Sequence, residues 1–563
     1  MSISRRHFLK LSGALSLALS TPILVSRARA DSASVNVPVT DVDFDCGIAS
    51  GDPGCDRVML WTRATPKAET SSVTIEWDIA TDQDFRQIVR SGKATTFPHR
   101  DYTVKIDVQE LAENQVYFYR FKGQNGYSAS GKTRTLAKRG IDHLKLAVFS
   151  CSNYPAGYFH AYREAVKNDD IDLTLHLGDY IYEYGSGGYA TEQAAELGRS
   201  LAADNNGELF TLQDYRKRYQ LYRQDQDLQL MHAAAPCIAV WDDHEISNDT
   251  WIAGAENHDA SEGDFFARRA AAIQAYYEWM PIRPPEGEQS LRIYRSFDFG
   301  QLFSLHMLDT RIIKRTQQLE YRNFMDAENG HFDASGFQTR MAEYRALLGH
   351  QQRDWLRQQI EASPAHWQII GQQVLMSRMQ LPAEMMANQD LTRVPQLLAD
   401  LVPLKQRALA GESLSDEERR RISQVMPYNL DAWDGYAVER EMVYRDWSAT
   451  GKPVVVLAGD THNAWHNVLR NQQGEQVAVE FATSSVSSPG MEYYLKLDQQ
   501  NASQTAAAMQ TLIDDLQYCN LHQRGFMTLN IRPDTIDVEW VFIDSVHQRD
   551  YSVAGRHALT HRS

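Results

Sequence analysis

Five short apolar segments each end in polar, chemically reactive side chains, and this pattern constrains the fold more than any other feature. The segments cover residues 146–149, 171–177, 237–241, 302–308 and 454–458. The groups that follow them are Cys151, Asp179, the run Asp242-Asp243-His244-Glu245, Arg311, and the pair Asp460 and His462. In layered α/β folds, ligands bind at the carboxyl ends of the strands. We therefore expect five buried strands whose ends converge on one site.

The surrounding stretch, residues 144–555, predicts one α/β domain of sandwich type (α+β sandwich). Helical patterns lie between several of the apolar segments, and residues 526–531 and 536–542 predict a closing hairpin. Residues 384–426 are charged and predict a helical insertion, for which a role as a lid over the site is one hypothesis. The candidate site residues and the strands and helices that carry them thus fall in a single catalytic domain.

Residues 40–137 have a different character and predict a separate all-β domain. Residues 73–79, 102–108 and 116–121 alternate apolar and polar side chains with a period of two, and turn residues separate them. About 100 residues of short strands are typical of a β-sandwich of immunoglobulin or fibronectin type. We expect this domain to have a mainly structural role.

The first 30 residues predict an export signal of the twin-arginine type. Arg5 and Arg6 precede a moderately apolar run over residues 11–25, which is too short and too polar to span a membrane. Small residues favour cleavage before Asp31. An ordinary signal peptide with two chance arginines is the alternative. We expect the twin-arginine machinery to export the folded protein, which would then be periplasmic or secreted.

The charge balance narrows the range of partners. The chain of 563 residues has a formal net charge of −16, and of −21 once the five basic groups of residues 1–30 are removed. Such a surface repels polyanions, so a nucleic-acid scaffold is excluded as a function. No later segment has 18 uninterrupted apolar residues, so we predict no stable membrane anchor. The acidic balance favours the binding of cations.

The five cysteines are an odd number, so at least one lies outside any intramolecular disulfide. Cys46 and Cys55 are close in sequence, and a local disulfide between them is one hypothesis. Cys151 ends the first catalytic strand, where it is either a metal-bound thiolate or a small buried hydrophobic residue. Cys237 begins a predicted strand, and Cys519 has no assignment.

Two motifs suit hard cations. Asp179 and Tyr182 in Gly178-Asp179-Tyr180-Ile181-Tyr182 can place a carboxylate and a phenol on one metal, and a phenolate favours Fe³⁺. The alternative is a strand-end turn with packed aromatic rings. Asp243 and the neighbouring His244 offer an oxygen ligand for Ca²⁺, Mg²⁺ or Mn²⁺ and a proton donor for a leaving group. A solvated helix N-terminus is the alternative for this second motif.

Three further residues complete the candidate site. Asp460 and His462 are two positions apart, and on a curled loop each could bind a different metal. Arg311 could bind a phosphate oxygen through its planar guanidinium, although an ion pair with a nearby aspartate is an equal alternative. His176 and His306 lie within apolar strands, where a packed or hydrogen-bonded role is expected.

Taken together, these motifs resemble those of the PhoD-type alkaline phosphatases, metallophosphoesterases whose site is similar to that of purple acid phosphatases. The resemblance covers nearly the whole mature chain. The segments that carry it are residues 47–53, 58–63, 176–183, 241–245, 308–311, 433–436 and 459–463. In the wider pattern the last motif is GHxH, whereas this chain has Gly459-Asp460-Thr461-His462. An aspartate there makes the second site richer in oxygen and favours Ca²⁺ over Zn²⁺.

The resemblance implies a role for each candidate residue. Asp179 would bridge two metals, while Cys151, Tyr182 and His462 would complete a site for one Fe³⁺. Asp243 and Asp460 would hold one or two Ca²⁺, and His244 and Arg311 would stabilise the transition state and the leaving group.

The implied activity is hydrolysis of phosphate monoesters, and of diesters, through attack of an iron-bound hydroxide with calcium neutralising the phosphate oxygens. A phospholipase D-like phosphodiesterase is an alternative on the same site. A non-enzymatic envelope protein that binds phosphate or metal is a remote alternative from another class.

Overall fold

A computed structural model gives the fold and describes residues 37–285, 291–326, 331–387 and 393–563, together with the backbone of residues 26–28. Apart from those three residues, the predicted export signal and its cleavage point before Asp31 lie outside this part of the chain. No helix within the described residues is both long and apolar enough to cross a membrane.

The strands fall into an N-terminal group and a catalytic group. The first group comprises β1 (Ser26–Ala28), β2 (Val42–Asp43), β3 (Ile48–Gly51), β4 (Val58–Arg63), β5 (Thr65–Pro66), β6 (Val73–Ala80), β7 (Ile88–Thr96), β8 (Thr103–Val108), β9 (Val116–Gly123), β10 (Gly126–Tyr127) and β11 (Gly131–Arg134). The second comprises β12 (Leu144–Phe149), β13 (Leu173–His176), β14 (Cys237–Ala239), β15 (Arg295–Phe299), β16 (Phe303–Met307), β17 (Trp367–Gly371), β18 (Gln380–Pro382), β19 (Val425–Pro427), β20 (Val454–Ala458), β21 (Ala464–Arg470), β22 (Gln476–Ala482), β23 (Leu516–Asn520), β24 (Arg524–Ile531), β25 (Thr535–Ile543) and β26 (Val553–Arg562).

Within the described residues, the α-helices all lie in the catalytic region. They are α1 (His160–Val166), α2 (Ala194–Leu197), α3 (Leu212–Arg223), α4 (Gln226–Ala234), α5 (Phe265–Trp279), α6 (Ala334–Met341), α7 (Gly349–Ala362), α8 (Ala383–Met386), α9 (Val394–Leu409), α10 (Asp416–Ser423), α11 (Ala437–Ser448), α12 (Met491–Leu495) and α13 (Gln499–Leu512).

Two sheets enclose the main core of the catalytic region. One runs β14-β13-β12-β24-β25-β26, and the other runs β15-β16-β17-β20-β22-β21-β23. Leu146 of the first sheet and Val455 of the second share one hydrophobic core. Val456 points the opposite way, as the period of two requires, and joins a second core with Trp447 of α11. The predicted α/β sandwich and its closing hairpin, β24 and β25, are confirmed.

The parallel strands place the predicted polar groups at one edge. β12, β13 and β14 pair in parallel, as do β16, β17 and β20. Each of the five predicted catalytic segments forms one of these strands, and each polar group follows the carboxyl end of its strand. The convergence expected from the sequence therefore follows from the parallel pairing.

The N-terminal region is all-β, as predicted, but one of its sheets is not independent. β6, β7, β9, β10 and β11 form a sheet of their own, whereas β3, β4 and β8 extend the catalytic sheet through the pairing of Gly51 with Cys237. A Cβ atom at Gly51 would lie 2.5 Å from the Cys237 carbonyl oxygen, so this close approach requires glycine. Long-range pairing of this kind leaves no local signal in the sequence.

All five cysteines are free thiols, so the hypothesis of a Cys46–Cys55 disulfide is wrong for this structure. Cys46 is fully buried in the main core, while Cys55 only packs against that core from a partly exposed position. Burial raises the pKa of the Cys46 thiol to about 12, which suppresses the thiolate needed for disulfide chemistry. Cys237 begins β14, in agreement with the sequence analysis.

The predicted insertion is mainly helical where it is described, and its last residues, Val425 and Met426, begin β19. α9 packs against α10 and against α13, and Leu401 of α9 is buried in the second core. Lys405 also pairs with Asp514 at 2.6 Å, just beyond α13. These contacts fix the insertion to helix α13 and to the second core, and a role as a lid stays a prediction.

Candidate metal centre

Three groups of potential metal ligands meet at the carboxyl ends of the strands. In each group, one donor atom from every residue lies within 4.8 Å of the others. The groups are Cys151, Asp179 and His462; Asp179, Asp243 and His244; and Asp242, Asp243 and Asp460. Asp179 and Asp243 each belong to two groups, so the three groups form one continuous centre.

The backbone at four of these residues is strained. Cys151, Asp179, Asp460 and His462 have φ angles of 58°, 54°, 63° and 65°, in the left-handed region that non-glycine residues seldom adopt. Such conformations cost about 1–3 kcal/mol each and are kept where the surrounding structure enforces them, commonly at functional sites. All four residues belong to the donor groups, so the strained backbone coincides with the candidate centre.

Tyr182 completes the first group through its hydroxyl. The phenol oxygen lies 3.2 Å from Oδ2 of Asp179 and 3.1 Å from Nε2 of His462. The Ser488 hydroxyl donates to the same phenol oxygen at 2.7 Å, which would stabilise a phenolate. Cys151, Asp179, Tyr182 and His462 are therefore brought together as the sequence predicted.

His462 is held in the tautomer that a metal ligand needs. Its Nδ1 lies 2.7 Å from the Pro489 carbonyl oxygen, which can only accept a hydrogen bond. The proton therefore sits on Nδ1, and the lone pair on Nε2 faces Tyr182. Burial lowers the pKa of His462 to about 3, so the ring is neutral at physiological pH. Metal-ligating histidines commonly donate their other ring N–H to a backbone carbonyl in this way.

His244 is oriented by a buried glutamate that the sequence analysis did not assign. Nδ1 of His244 lies 2.7 Å from Oε2 of Glu183, and the other carboxylate oxygen accepts from the backbone N–H of Asn248 at 2.7 Å. The imidazole also stacks on the Tyr182 ring, with ring centroids 4.2 Å apart. Nε2 is thus the nitrogen left for the site.

Arg311 lies at the centre of the third group and is completely buried. Its guanidinium donates to Asp242, to Asp431 at 2.7 Å and to Asp460 at 2.9 Å. Of the two predicted interpretations, this arrangement matches the ion pair with aspartates. Arg311 is a charge partner of the carboxylates in this structure, and its contact with phosphate stays a prediction.

The carboxyl groups are crowded in a way that favours a cation. Burial, together with the neighbouring aspartates, raises the pKa of Asp179 and of Asp460 well above the ordinary range. Burial also raises the pKa of Asp242 to about 7, against the opposing charge of Arg311. Oδ1 of Asp179 and Oδ2 of Asp242 are buried without a hydrogen-bond partner. Buried carboxylates without partners are costly unless a cation compensates them, so these donors fit metal ions.

Two groups keep their charge despite burial. Burial alone would raise the pKa of Asp243, but Arg311 and His244 lower it below its usual range. Burial alone would lower the pKa of His244, but Glu183 and Asp243 raise it well above its usual range. In the absence of bound metal, these shifts favour an ionised Asp243 beside a protonated His244.

Glu245 has a structural task at the edge of the centre. Its carboxylate accepts backbone N–H groups from Asp179 at 3.0 Å, from Asp242 at 2.7 Å and from Tyr180. These bonds tie the loop after β13 to the loop after β14. Glu245, the last member of the Asp242-Asp243-His244-Glu245 run, thus positions the backbone of the candidate ligands Asp179 and Asp242.

Comparisons with known proteins agree with this geometry. The family model described as PhoD-like phosphatase matches residues 146–540, and the model for the N-terminal domain of PhoD-like phosphatases matches residues 29–137. The chain belongs to the PhoD-like phosphatase family. Alkaline phosphatase D of Bacillus subtilis (strain 168) is 34% identical over 463 residues, which are 79% of this chain and 70% of that relative. A solved structure, "Structure of PhoD", has a TM-score of 0.73 at 28% identity and covers 94% of this chain and 92% of its own.

As a PhoD-like phosphatase, the protein is a phosphoric ester hydrolase, and the metal dependence of the family agrees with the three donor groups. Sequence reasoning missed Asp242 as a donor, Glu183 as the partner of His244 and Asp431 as a partner of Arg311. Asp242 and Glu183 lie inside motifs that carried the resemblance, but their acidity alone does not show where they point. Asp431 is 120 residues from Arg311, and only the fold brings the two together.

Proposed function

We propose that this hydrolase acts on phosphate monoesters and diesters, with one Fe³⁺ and one or two Ca²⁺ in its centre. Cys151, Tyr182 and His462 would hold the iron, and Asp243 and Asp460 would hold calcium. The observation that carries the proposal is the position of Asp179, which belongs both to the group with Cys151 and His462 and to the group with Asp243 and His244, and which keeps one buried carboxylate oxygen without a partner.

The donor sets differ as these two ions require. A thiolate, a phenolate and a neutral imidazole on one side suit a transition metal, whereas carboxylate oxygens on the other side suit a hard divalent cation. When bound, such ions supply Lewis acidity, which polarises a phosphoryl oxygen and acidifies water. They would also reverse the negative field of an acidic protein, so that an anionic ester can approach.

The remaining chemistry belongs to the side chains. Protonated His244, held by Glu183 through Nδ1, presents Nε2 to the site and can donate a proton to the leaving alcohol. Arg311 keeps Asp242 and Asp460 in place by pairing with both. Its contribution to the transition state would be electrostatic, either through these carboxylates or directly on a phosphate oxygen.

Side-by-side assays separate the substrate classes. Metal-stripped protein is reloaded with Fe³⁺ and Ca²⁺, singly and together, and offered p-nitrophenyl phosphate, bis(p-nitrophenyl) phosphate and phosphatidylcholine. We expect hydrolysis of the first two only when both ions are present. Release of choline from phosphatidylcholine at a higher rate would favour the phospholipase D-like alternative, and full activity with either ion alone would contradict the proposed pair.

We also propose that the protein is exported folded by the twin-arginine route and works in the periplasm or outside the cell. The proposal rests on Arg5 and Arg6 and on a centre whose ions are best loaded before export. Replacing both arginines by lysine should retain full-length precursor inside the cell. Export of that variant in a strain without twin-arginine machinery would contradict the route.

A further inference from the structure

A series of aromatic rings runs from the metal centre to the surface. The Tyr189 ring stacks on His462, with ring centroids 5.9 Å apart, and its hydroxyl lies 3.1 Å from Nδ1 of that histidine. On its other side Tyr189 stacks on Tyr494, with centroids 6.2 Å apart and planes inclined by only 6°. The outermost ring, Tyr494, is therefore linked to His462 of the centre through the Tyr189 ring.

Tyr494 is exposed although it lies beside the centre. Its accessible surface is 57% of the maximum, the highest fraction among the described tyrosines that are exposed. Partial burial is the main reason why the pKa of its phenol is raised, and the charges of His244, Asp460 and Asp249 also act on it. The ring thus lies within reach of the charges of the centre, with one face on Tyr189 and further area open to solvent.

The segment that carries Tyr494 is held in place. The Tyr493 hydroxyl donates to Glu192 at 2.6 Å, and the backbone N–H of Met491 donates to Oδ1 of Asn463 at 3.1 Å. Asn463 directly follows His462 in the chain, so helix α12 is anchored to the loop of a metal-ligand candidate. A ring on such a support is pre-ordered and loses little entropy when a ligand stacks on it.

The other strongly exposed tyrosine provides a comparison. Tyr127 of the N-terminal region is 51% exposed, but the Arg120 guanidinium lies 3.8 Å from its ring centroid. This is a cation–π contact with arginine, which is common for surface tyrosines. Tyr494 instead stacks on the ring of Tyr189, which in turn stacks on His462 of the centre.

We propose that Tyr494 binds a planar ring in the alcohol part of the substrate, so that the centre favours phosphate esters of aryl or nucleoside alcohols. The inference rests on the proposed function and adds the substrate class to it. Aromatic rings and nucleobases stack favourably on tyrosine, and such stacking tolerates different ring structures. The phosphoryl group would lie on the metal centre while the ring of the ester lies on Tyr494.

The test compares kcat/KM for three monoesters: adenosine 5′-monophosphate, phenyl phosphate and glycerol 1-phosphate, which has no ring. The enzyme loaded with Fe³⁺ and Ca²⁺ is used as wild type, Tyr494→Ala, Tyr494→Phe and the control Tyr127→Ala. We expect Tyr494→Ala to lower kcat/KM about tenfold for an ester with a ring, mainly through KM, and to leave glycerol 1-phosphate unchanged. Tyr494→Phe and Tyr127→Ala should behave like wild type.

The two ring-bearing esters identify the source of the ring. A loss confined to adenosine 5′-monophosphate assigns the platform to nucleobases, and a loss confined to phenyl phosphate assigns it to aryl groups. Equal losses for all three esters, or no loss for any, would overturn the inference while leaving the proposed function intact. A loaded wild-type enzyme that hydrolyses none of the three would contradict the proposed function itself.

Discussion

The carboxylate of Glu183 lies 2.7 Å from Nδ1 of His244, and both side chains are buried. This contact fixes the orientation of the imidazole and stabilises its protonated form. The glutamate follows Tyr182 directly in the chain, so a single loop after β13 supplies both a candidate iron ligand and the partner of the candidate proton donor.

Replacing Glu183 by Gln should impair proton donation to the leaving group. We expect kcat to fall about 10-fold to 100-fold, and to fall further for phenyl phosphate than for p-nitrophenyl phosphate, because the poorer leaving group depends more on a proton. In a His244→Asn background the same substitution should have little effect, since the pair acts as a unit. Equal losses for both esters, or additive losses in the double variant, would contradict the assignment.

The Glu183–His244 contact also shows how far the sequence alone leads. Apolar segments that end in polar groups predicted β12, β13, β14, β16 and β20 and their common edge, because strand periodicity and strand-end chemistry are local properties. The side-chain partners of Arg311 and the pairing of Gly51 with Cys237 depend on residues up to 186 positions apart. No local pattern contains that information, so these contacts could only be read from the fold.

The Tyr182→Phe variant tests the phenolate ligand. We expect it to fold normally but to lose any visible charge-transfer band of the iron-loaded protein and most of its activity. Tyr180→Phe is the matched control, because Tyr180 is equally buried and its hydroxyl contacts His232 at 2.8 Å rather than the centre. An unchanged spectrum in Tyr182→Phe would remove Tyr182 from the ligand set.

Asp179→Asn should separate stability from activity. Because Asp179 is buried among other acids, the neutral amide relieves repulsion, and at pH 8 the metal-free variant should melt at a higher temperature than metal-free wild type. The variant should bind little metal and have no measurable turnover. Thermal unfolding, metal analysis and an activity assay check the three expectations, and full activity would refute the site.

The metal-free protein should lose stability as the pH rises. The pKa of Asp242 is raised to about 7 and that of Glu245 to about 8, so the folded state holds these protons more tightly than the unfolded state. Their stabilising effect is present below pH 4 and is lost as the pH rises toward 7 and 8. Bound cations replace the protons, so the melting temperature gained on loading metal should increase from pH 5 to pH 8. A gain that is constant or shrinks over this range would contradict the argument.

The most direct test of the account is metal analysis of the purified protein together with its visible spectrum. We predict about one iron per chain, bound calcium, and a phenolate or thiolate charge-transfer band that disappears with activity when the iron is removed. A colourless, iron-free protein that hydrolyses phosphate esters at the full rate would contradict the proposed centre.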